Sequence, residues 1–215
     1  MTEPAGSRPR GRPRGTSPRE LELIALRLFT EQGFDETTVE QIAAEAGVSS
    51  RTFFRYFDSK AAVLWHAFDA EVRELREALA AVPESVPLLD AIRQAVVAVN
   101  RYTAADVPEL RDRINLISTV PALQASAAPH YDAWERAVID FAARRLGRAS
   151  GPLLPLAIGR ATLAVCRAAY ELWVTRADAR LTVYLDEALR ALATGFSPEV
   201  SRSRTRSRAP ARRSR

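Results

Sequence analysis

Apolar residues recur every three or four positions from residue 20 onwards, the spacing of one face of an α-helix. In the first such segment the inner face is formed by Leu21, Ile24, Ala25, Leu28 and Phe29. Ser17 and Glu20 form a capping box around Pro18, and Gly33 follows the last apolar position. We therefore predict a helix that begins after Ser17 and ends at Gly33.

The next segment, TVEQIAAEAGVSSRTFFRYFDSK, runs from Thr38 to Lys60 and predicts a helix-turn-helix. A helix starts at Thr37-Thr38, and Gly47 suits the left-handed residue that ends it. Ser49 then caps a short helix from Ser50 to about Tyr56. A fourth helix is predicted from Lys60 to about Ala80, capped by Asp58-Ser59.

Longer helical patterns follow Pro83, separated by proline and glycine. They predict helices over about 86–104, 108–118, 121–147, 152–176 and 181–196. Pro129 lies inside the third of these, where it either kinks one helix or divides two shorter ones. The fold class is therefore all-α: a three-helix helix-turn-helix domain followed by a helical ligand-binding and dimerisation domain.

The two ends of the chain lack this periodicity. Residues 1–16 are rich in Pro, Gly and Arg, and residues 197–215 are rich in Ser and Arg, so we expect both to be disordered. The remaining boundaries predict a DNA-binding domain over 17–62 and a ligand-binding domain over 63–196. The first 19 residues carry a net charge of +4 and the last 19 carry +6. Because the whole chain carries +5, residues 20–196 carry a net charge of −5.

Composition excludes several classes of protein. The chain of 215 residues has one cysteine and two histidines, so it offers neither a disulfide nor a Cys-rich or His-based metal site. No nucleophile elbow, phosphate-binding loop or dinucleotide fingerprint is present, and we expect no catalytic residues and no cofactor. The basic leader has no apolar core and no uncharged apolar run reaches membrane-spanning length, so we expect a cytoplasmic protein without membrane association.

The second helix of the helix-turn-helix carries the residue types that contact DNA. Phe53 and Phe57 share one face and anchor it, which leaves hydroxyl, arginine and aromatic side chains exposed for the major groove. Lys60, with nearby backbone N–H groups, is expected to hold a phosphate. The predicted DNA-binding residues of this module are Thr38, Ser49, Ser50, Arg51, Thr52, Phe54, Arg55, Tyr56 and Lys60.

The basic leader offers a second DNA contact. Pro9-Arg10-Gly11-Arg12-Pro13-Arg14-Gly15 resembles an AT-hook, in which Arg10, Arg12 and Arg14 would enter a narrow minor groove. The alternative is a basic leader that attracts DNA without reading it.

From about Pro18 to Leu64 the sequence resembles the TetR family of bacterial transcriptional regulators. The resemblance is carried by Thr37-Thr38-Val39, Ile42-Ala43, Ala46-Gly47-Val48-Ser49, Tyr56-Phe57 and Ser59-Lys60. It implies a homodimer, usually a repressor, that leaves a palindromic operator when a small molecule enters the second domain. It also implies DNA contacts at Thr52, Phe54, Tyr56 and Lys60, although Phe54 replaces the commoner tyrosine and lacks its hydroxyl.

The second domain places polar residues among apolar ones, and two interpretations stay open: plain core packing or surface positions for these residues, or an apolar cavity in which polar groups orient a ligand. Asn100, Arg113 and Gln124 are of this kind. The predicted ligand-binding residues are Arg111, Asn115, Trp134, Phe141, Cys166, Tyr170 and Trp173. The run from Arg113-Ile114 to Tyr170-Glu171-Leu172-Trp173 resembles the subgroup with an acyl-CoA-like ligand-binding domain, to which regulators of the mycofactocin pathway belong.

The last two helices are predicted to form the dimer. Apolar residues spread over the helix at 152–176, and Leu181, Leu185, Leu189 and Leu192 form a stripe on the next. The alternative is that both surfaces are used inside the monomer. Two other functional classes stay open: an architectural protein of A·T-rich DNA that binds through its tails, and a helical enzyme.

Overall fold

The computed structural model describes residues 16–176 and 178–196, and these residues form helices and loops without a β-strand. The predicted all-α class is confirmed. The described helices are α1 (Pro18–Gln32), α2 (Val39–Glu45), α3 (Ser50–Phe54), α4 (Ala62–Ala81), α5 (Leu88–Val99), α6 (Val107–Thr119), α7 (Pro121–Ser126), α8 (Ala128–Arg145), α9 (Leu153–Arg176) and α10 (Leu181–Ala193). The chain divides into two compact units between Val63 and Leu64.

Side-chain caps start the three helices of the first unit where the sequence predicts them. Ser17 Oγ accepts from the N–H of Glu20 at 3.1 Å, and Ser49 Oγ accepts from the N–H of Thr52 at 3.2 Å. Thr38 and Gln41 form a reciprocal capping box at the start of α2. Each cap satisfies an N–H group that the first helical turn leaves without a partner.

Thr16, the last residue of the predicted disordered arm, belongs to the folded first unit. Thr16 is buried, and its hydroxyl donates to Glu20 Oε2 at 2.8 Å. Residues 1–15 and 197–215, which include Arg10, Arg12 and Arg14, lie outside the described residues.

The core of the first unit joins α1, α2 and α3 through apolar side chains. Leu21, Ile42 and Phe53 are fully buried. The ring of Phe53 also lies 5.4 Å from that of Phe57, centroid to centroid. The predicted anchoring face of α3 is therefore confirmed, and this face holds the opposite one towards solvent.

Several predicted helix ends need correction. Helix α3 ends at Phe54 rather than Tyr56, and α4 begins at Ala62 rather than Lys60. The segment at 121–147 is two helices that meet at Ala127, and Pro129 lies in the first turn of α8, where proline removes no helical hydrogen bond. Of the two alternatives for this segment, the pair of shorter helices is correct.

Helices α8 and α9 pack closely in the second unit at Gly159. A Cβ atom at this position would lie 2.4 Å from Ile139 Cγ1 and 3.1 Å from the carbonyl oxygen of Glu135. Glycine is therefore required here by proximity of the neighbouring helix rather than by backbone conformation.

Helix α9 is also long and apolar enough for a membrane span by length and composition alone. It carries Arg160 and Arg167, however, and its buried Thr162, Leu163 and Trp173 pack within the second unit. Core packing accounts for part of its apolar character, while Leu153, Leu154 and Leu172 are exposed.

The stripe on α10 faces the monomer's own core. Leu181, Leu185 and Leu189 are buried, and α10 packs on α5 and α9. The expectation that this stripe forms the dimer is therefore wrong, because α5 and α9 already cover it. Helix α9 differs, since Leu153, Leu154 and Leu172 are 82%, 45% and 41% exposed.

Candidate DNA interface and effector cavity

Helix α3 presents cationic and aromatic side chains to solvent. Arg51 and Arg55 are exposed, and Phe54 is 52% exposed although it is large and apolar. Ser50 and Thr52 are partly exposed on the same short helix. This surface has the side-chain types that read base edges and phosphates in a major groove.

The hydroxyl groups at the start of α3 are partly committed to the helix itself. Ser49 Oγ lies 3.1 Å from Thr52 Oγ1 in addition to capping the N–H of Thr52. Thr38 is exposed, and its hydroxyl caps α2 in the same way. These residues orient the helices, and a hydroxyl oxygen that accepts one hydrogen bond still has its own hydrogen to donate.

Tyr56 and Arg55 form a short chain of hydrogen bonds that ends at residue 16. Arg55 Nη2 donates to the Tyr56 hydroxyl at 2.9 Å, and that hydroxyl donates to the carbonyl oxygen of Thr16 at 3.3 Å. The guanidinium carbon of Arg55 also lies 4.8 Å from the centre of the Tyr56 ring. Tyr56 therefore holds the start of α1 beside the end of α3.

Lys60 has a different environment from the one expected. Its ammonium donates to the carbonyl oxygens of Phe34 at 2.5 Å, Thr37 at 2.8 Å and Asp35 at 3.4 Å. It also lies 4.2 Å from the centre of the Phe34 ring. An ammonium has three N–H donors, and here they point to main-chain carbonyls across the turn between α1 and α2, whereas the predicted partner is a phosphate.

The second unit contains a cavity of about 650 Å³. Its walls are largely aromatic and aliphatic, with Trp65 and Phe68 from α4 facing Tyr131 and Trp134 from α8. The Trp65 ring stacks on His130 at 4.6 Å between centroids, and its Nε1 donates to Ser126 Oγ at 2.9 Å. The size and lining are those of a site for a small, mainly apolar molecule.

Polar groups in the cavity wall pair with one another or with Tyr102 and Glu109, which are not part of the wall. Tyr102 donates to Glu71, and Tyr170 donates to Asn100. Asn100 Nδ2 in turn donates to the carbonyl oxygen of Val96 at 2.8 Å, and Arg113 Nη2 donates to Glu109 at 2.7 Å. Burial, reinforced for both by the charge of Glu71, raises the pKa of Tyr102 and of Tyr170, so both stay neutral donors.

The charges in the wall balance. The acidic residues of the lining are Glu71 and Glu171, and the basic ones are Arg113 and Arg167. Cys166 also contributes to the wall, where burial raises the pKa of its thiol to about 12. The interior therefore offers hydrogen bonds and apolar surface without an excess of either charge.

The seven predicted ligand-binding residues separate into three groups. Trp134, Cys166 and Tyr170 line this cavity, whereas Arg111 and Trp173 line a second one. Asn115 is exposed on α6, and Phe141 is buried in the core. Asn115 and Phe141 line neither of these two cavities, because periodicity does not show which side of a helix meets a cavity.

Sequence reasoning missed the contribution of α4 to the cavity. Trp65, Phe68 and Glu71 lie three residues apart on this helix, and none of them is among the predicted ligand-binding residues. A glutamate that follows two aromatic residues at a spacing of three places all three side chains near one face of α4. This pattern could have identified the face that lines the cavity.

No group of three or more His, Cys, Asp or Glu side chains within residues 16–176 and 178–196 could hold a metal ion.

Comparisons with known proteins agree with this architecture. Residues 24–66 match the family model "Bacterial regulatory proteins, tetR family", and residues 86–197 match the model "MftR C-terminal domain". A Mycobacterium tuberculosis protein assigned as the mycofactocin biosynthesis transcriptional regulator MftR is 32% identical over 186 residues, which cover 86% of this chain and 94% of the relative. The Streptomyces glaucescens regulator TcmR is 56% identical over 41 residues, 19% of this chain and 18% of TcmR.

Solved structures show the same fold. FadR from Bacillus halodurans aligns with a TM-score of 0.62 at 15% identity, over 86% of this chain and 98% of that one. FadR from Thermus thermophilus, solved in complex with lauroyl-CoA, aligns with a TM-score of 0.56 at 22% identity, over 91% of this chain and all of that one. The family matches together with the full-length relative show that this chain belongs to the TetR family of bacterial transcriptional regulators, with an MftR-type C-terminal domain.

Proposed function

We propose that this regulator is a cytoplasmic homodimeric repressor that binds a palindromic operator and leaves it when a mainly apolar effector enters the cavity of the second unit. The observation that carries the proposal is the aromatic cavity of about 650 Å³ with its internally paired polar wall. An unfilled space of this size lacks packing contacts that a bound apolar molecule would supply.

On the DNA side, the exposed face of α3 supports direct contacts by Arg51, Thr52, Phe54 and Arg55. The chain from residue 20 to residue 60 carries eight acidic and four basic residues. Attraction to phosphate must therefore come from locally exposed arginines and from the basic leader, with Arg10, Arg12 and Arg14. Tyr56 and Lys60 support the interface indirectly, because their hydrogen bonds hold neighbouring segments of the first unit in place.

The balanced charges of the cavity support an effector whose buried part is neutral and apolar. An acyl chain has this character. The complex of Thermus thermophilus FadR with lauroyl-CoA shows that the fold accommodates such a ligand in that protein. An acyl-CoA-like effector would leave its phosphates outside this cavity, since Arg113 is paired with Glu109 and Arg167 lies over Tyr131.

The dimer is supported by an exposed apolar line along α9. Leu154 and Leu172 are large, and the alanines between them follow the spacing of three and four residues that brings side chains onto one helix face. The line consists of Leu154, Ala157, Ala161, Ala164, Ala168 and Leu172. Small residues allow close approach of a second copy, and an isologous contact would fix the separation of two α3 helices for two half-sites.

Release would follow from a shift between two arrangements of the dimer. Helix α4 contributes Trp65, Phe68 and Glu71 to the cavity wall and is continuous with the chain that leads to α3. An effector that binds better to the arrangement unsuited to DNA weakens operator binding by its difference in affinity. This mechanism fails if a releasing ligand binds the free and DNA-bound dimer equally well.

The first experiment identifies the operator by incubating the purified protein with genomic fragments and sequencing those retained. We expect one palindromic motif, protected over a defined footprint. Arg51→Ala should weaken its binding about tenfold and lower the salt slope by about 2, one for each subunit of the dimer, while Arg73→Ala on α4 should not. Protection spread over A·T-rich sequence would favour the architectural alternative instead.

The second experiment tests the effector cavity with fatty alcohols, fatty acids and acyl-CoAs of increasing length, by isothermal titration and by operator release. Ile117→Trp places an indole in the cavity wall and should abolish release while operator binding is kept. Ala193→Trp, at an exposed position of α10, is the matched control. Release that persists in Ile117→Trp would place the effector elsewhere.

A further inference from the structure

A second cavity, of about 670 Å³, adjoins the effector cavity in the same unit. It lies between the end of α5, the beginning of α6 and the segment that precedes α10. Asn100 lines both cavities, while Arg111 and Trp173 line only the second.

Arg111 is held in this cavity by an aromatic side chain. Its guanidinium carbon lies 4.6 Å from the centre of the Trp173 ring, and Nη2 donates to the carbonyl oxygen of Trp173 at 3.4 Å. The Nε atom is buried without a hydrogen-bond partner in the described structure. Trp173 is itself fixed, because its Nε1 donates to the carbonyl oxygen of Ala179 at 3.0 Å. Stacking thus orders a planar cation whose donors are largely unused.

The charges around Arg111 do not balance. Arg101 and Arg180 also line the cavity, against a single acidic residue, Asp178. The Asp178 carboxylate accepts a hydrogen bond from Tyr184, which lowers its pKa. Among the described residues no ion pair involves Arg101, Arg111 or Arg180. Three guanidinium groups around one space repel one another, and an anion between them would relieve that repulsion.

We propose that the second cavity is an oxyanion site, in which Arg111, with Arg101 and Arg180, binds a carboxylate or phosphate group. A guanidinium matches these groups with two parallel N–H donors. This site adjoins the effector cavity at Asn100, but anion binding in it does not depend on the proposed release mechanism. The oxyanion can be a free small anion, or the charged end of a molecule whose apolar part lies beyond Asn100.

The test is isothermal titration of the full-length protein with sodium phosphate, at constant ionic strength set with sodium chloride. We expect saturable binding that is at least tenfold weaker in Arg101→Gln/Arg111→Gln. Arg148→Gln removes an exposed arginine outside both cavities and should bind phosphate within twofold of the parent. Arg101→Gln/Arg180→Gln changes only exposed side chains, so it is not expected to disturb folding. It should also lose affinity for phosphate.

The source of the oxyanion is decided with dodecanoate and dodecanol. If the oxyanion is the end of the effector, Arg111→Gln weakens dodecanoate at least tenfold and leaves dodecanol unchanged, and phosphate competes with dodecanoate. If the oxyanion is a free anion, the affinity for phosphate is the same with dodecanoate or with dodecanol present. Non-saturable heats, or equal loss in Arg148→Gln, would overturn the site. Failure of every apolar compound to release DNA, with phosphate binding intact, would instead contradict only the proposed function.

Discussion

The hydroxyl group of Tyr56 donates a hydrogen bond to the carbonyl oxygen of Thr16, which lies 40 positions earlier in the chain. Thr16 immediately follows the basic segment that contains Arg10, Arg12 and Arg14. The point at which this segment joins the first unit is therefore fixed beside the end of α3. Tyr56, which is predicted to contact DNA, therefore also fixes the position of the residue that follows the basic segment.

Tyr56→Phe should weaken operator binding about fivefold in the full-length chain, because one hydrogen bond contributes about 1 kcal/mol and the leader then starts from a less defined position. In a chain that begins at Thr16 the same substitution should have little effect. Fluorescence anisotropy of the four proteins gives the coupling energy directly. Equal losses with and without the leader would mean that Tyr56 contacts DNA by itself.

Lys60→Met should lower the free energy of unfolding by about 1–3 kcal/mol, since it leaves the carbonyl groups of Phe34 and Thr37 without their charged donor. Urea unfolding followed by circular dichroism measures this loss. Arg51→Met, at an exposed position of α3, is the control and should leave stability unchanged. A stable Lys60→Met protein with a reduced salt slope of DNA binding would restore the phosphate contact first expected.

Cys166 should react slowly with a thiol reagent such as dithionitrobenzoate. Burial raises the pKa of this thiol from 9.0 to about 12, so at pH 8 its thiolate fraction falls about a thousandfold. The unfolded chain should ionise and react first, and it serves as the reference. Stability contributed by the neutral thiol is complete below pH 9 and is lost as the pH rises towards 12. Rapid labelling of the native protein at pH 8 would contradict this environment.

Gly159→Ala should destabilise the second unit by about 1–3 kcal/mol, because the new methyl group would overlap Ile139 and approach the carbonyl of Glu135. Thermal unfolding detects the loss. Gly151→Ala is a matched control, since it is exposed and a Cβ there meets no atom within 4 Å. Should both variants unfold at the same temperature, α8 and α9 would have room to separate.

The helices of the first unit could be predicted from sequence because their signals are local. Ser17, Thr38 and Ser49 each cap an N–H group three residues ahead, and this geometry is encoded within one helical turn. The buried face of α3 follows in the same way from the four-residue spacing of Phe53 and Phe57. Family membership rests on this stretch and on the extended similarity of the second unit.

The sites in the second unit required the tertiary structure. Helical periodicity shows that Leu185 and Leu189 of α10, or Trp134 and Phe141 of α8, belong to apolar surfaces, but not which helix covers each surface. Packing placed the α10 stripe on α5 and α9, turned Trp134 to the cavity and Phe141 to the core, and moved Arg111 with Trp173 into a second cavity. The sequence alone determined where helices begin and which faces are apolar, since those depend on neighbouring residues. The cavities and the carbonyl acceptors of Lys60 involve residues far apart in the chain, and only the folded packing brings them together.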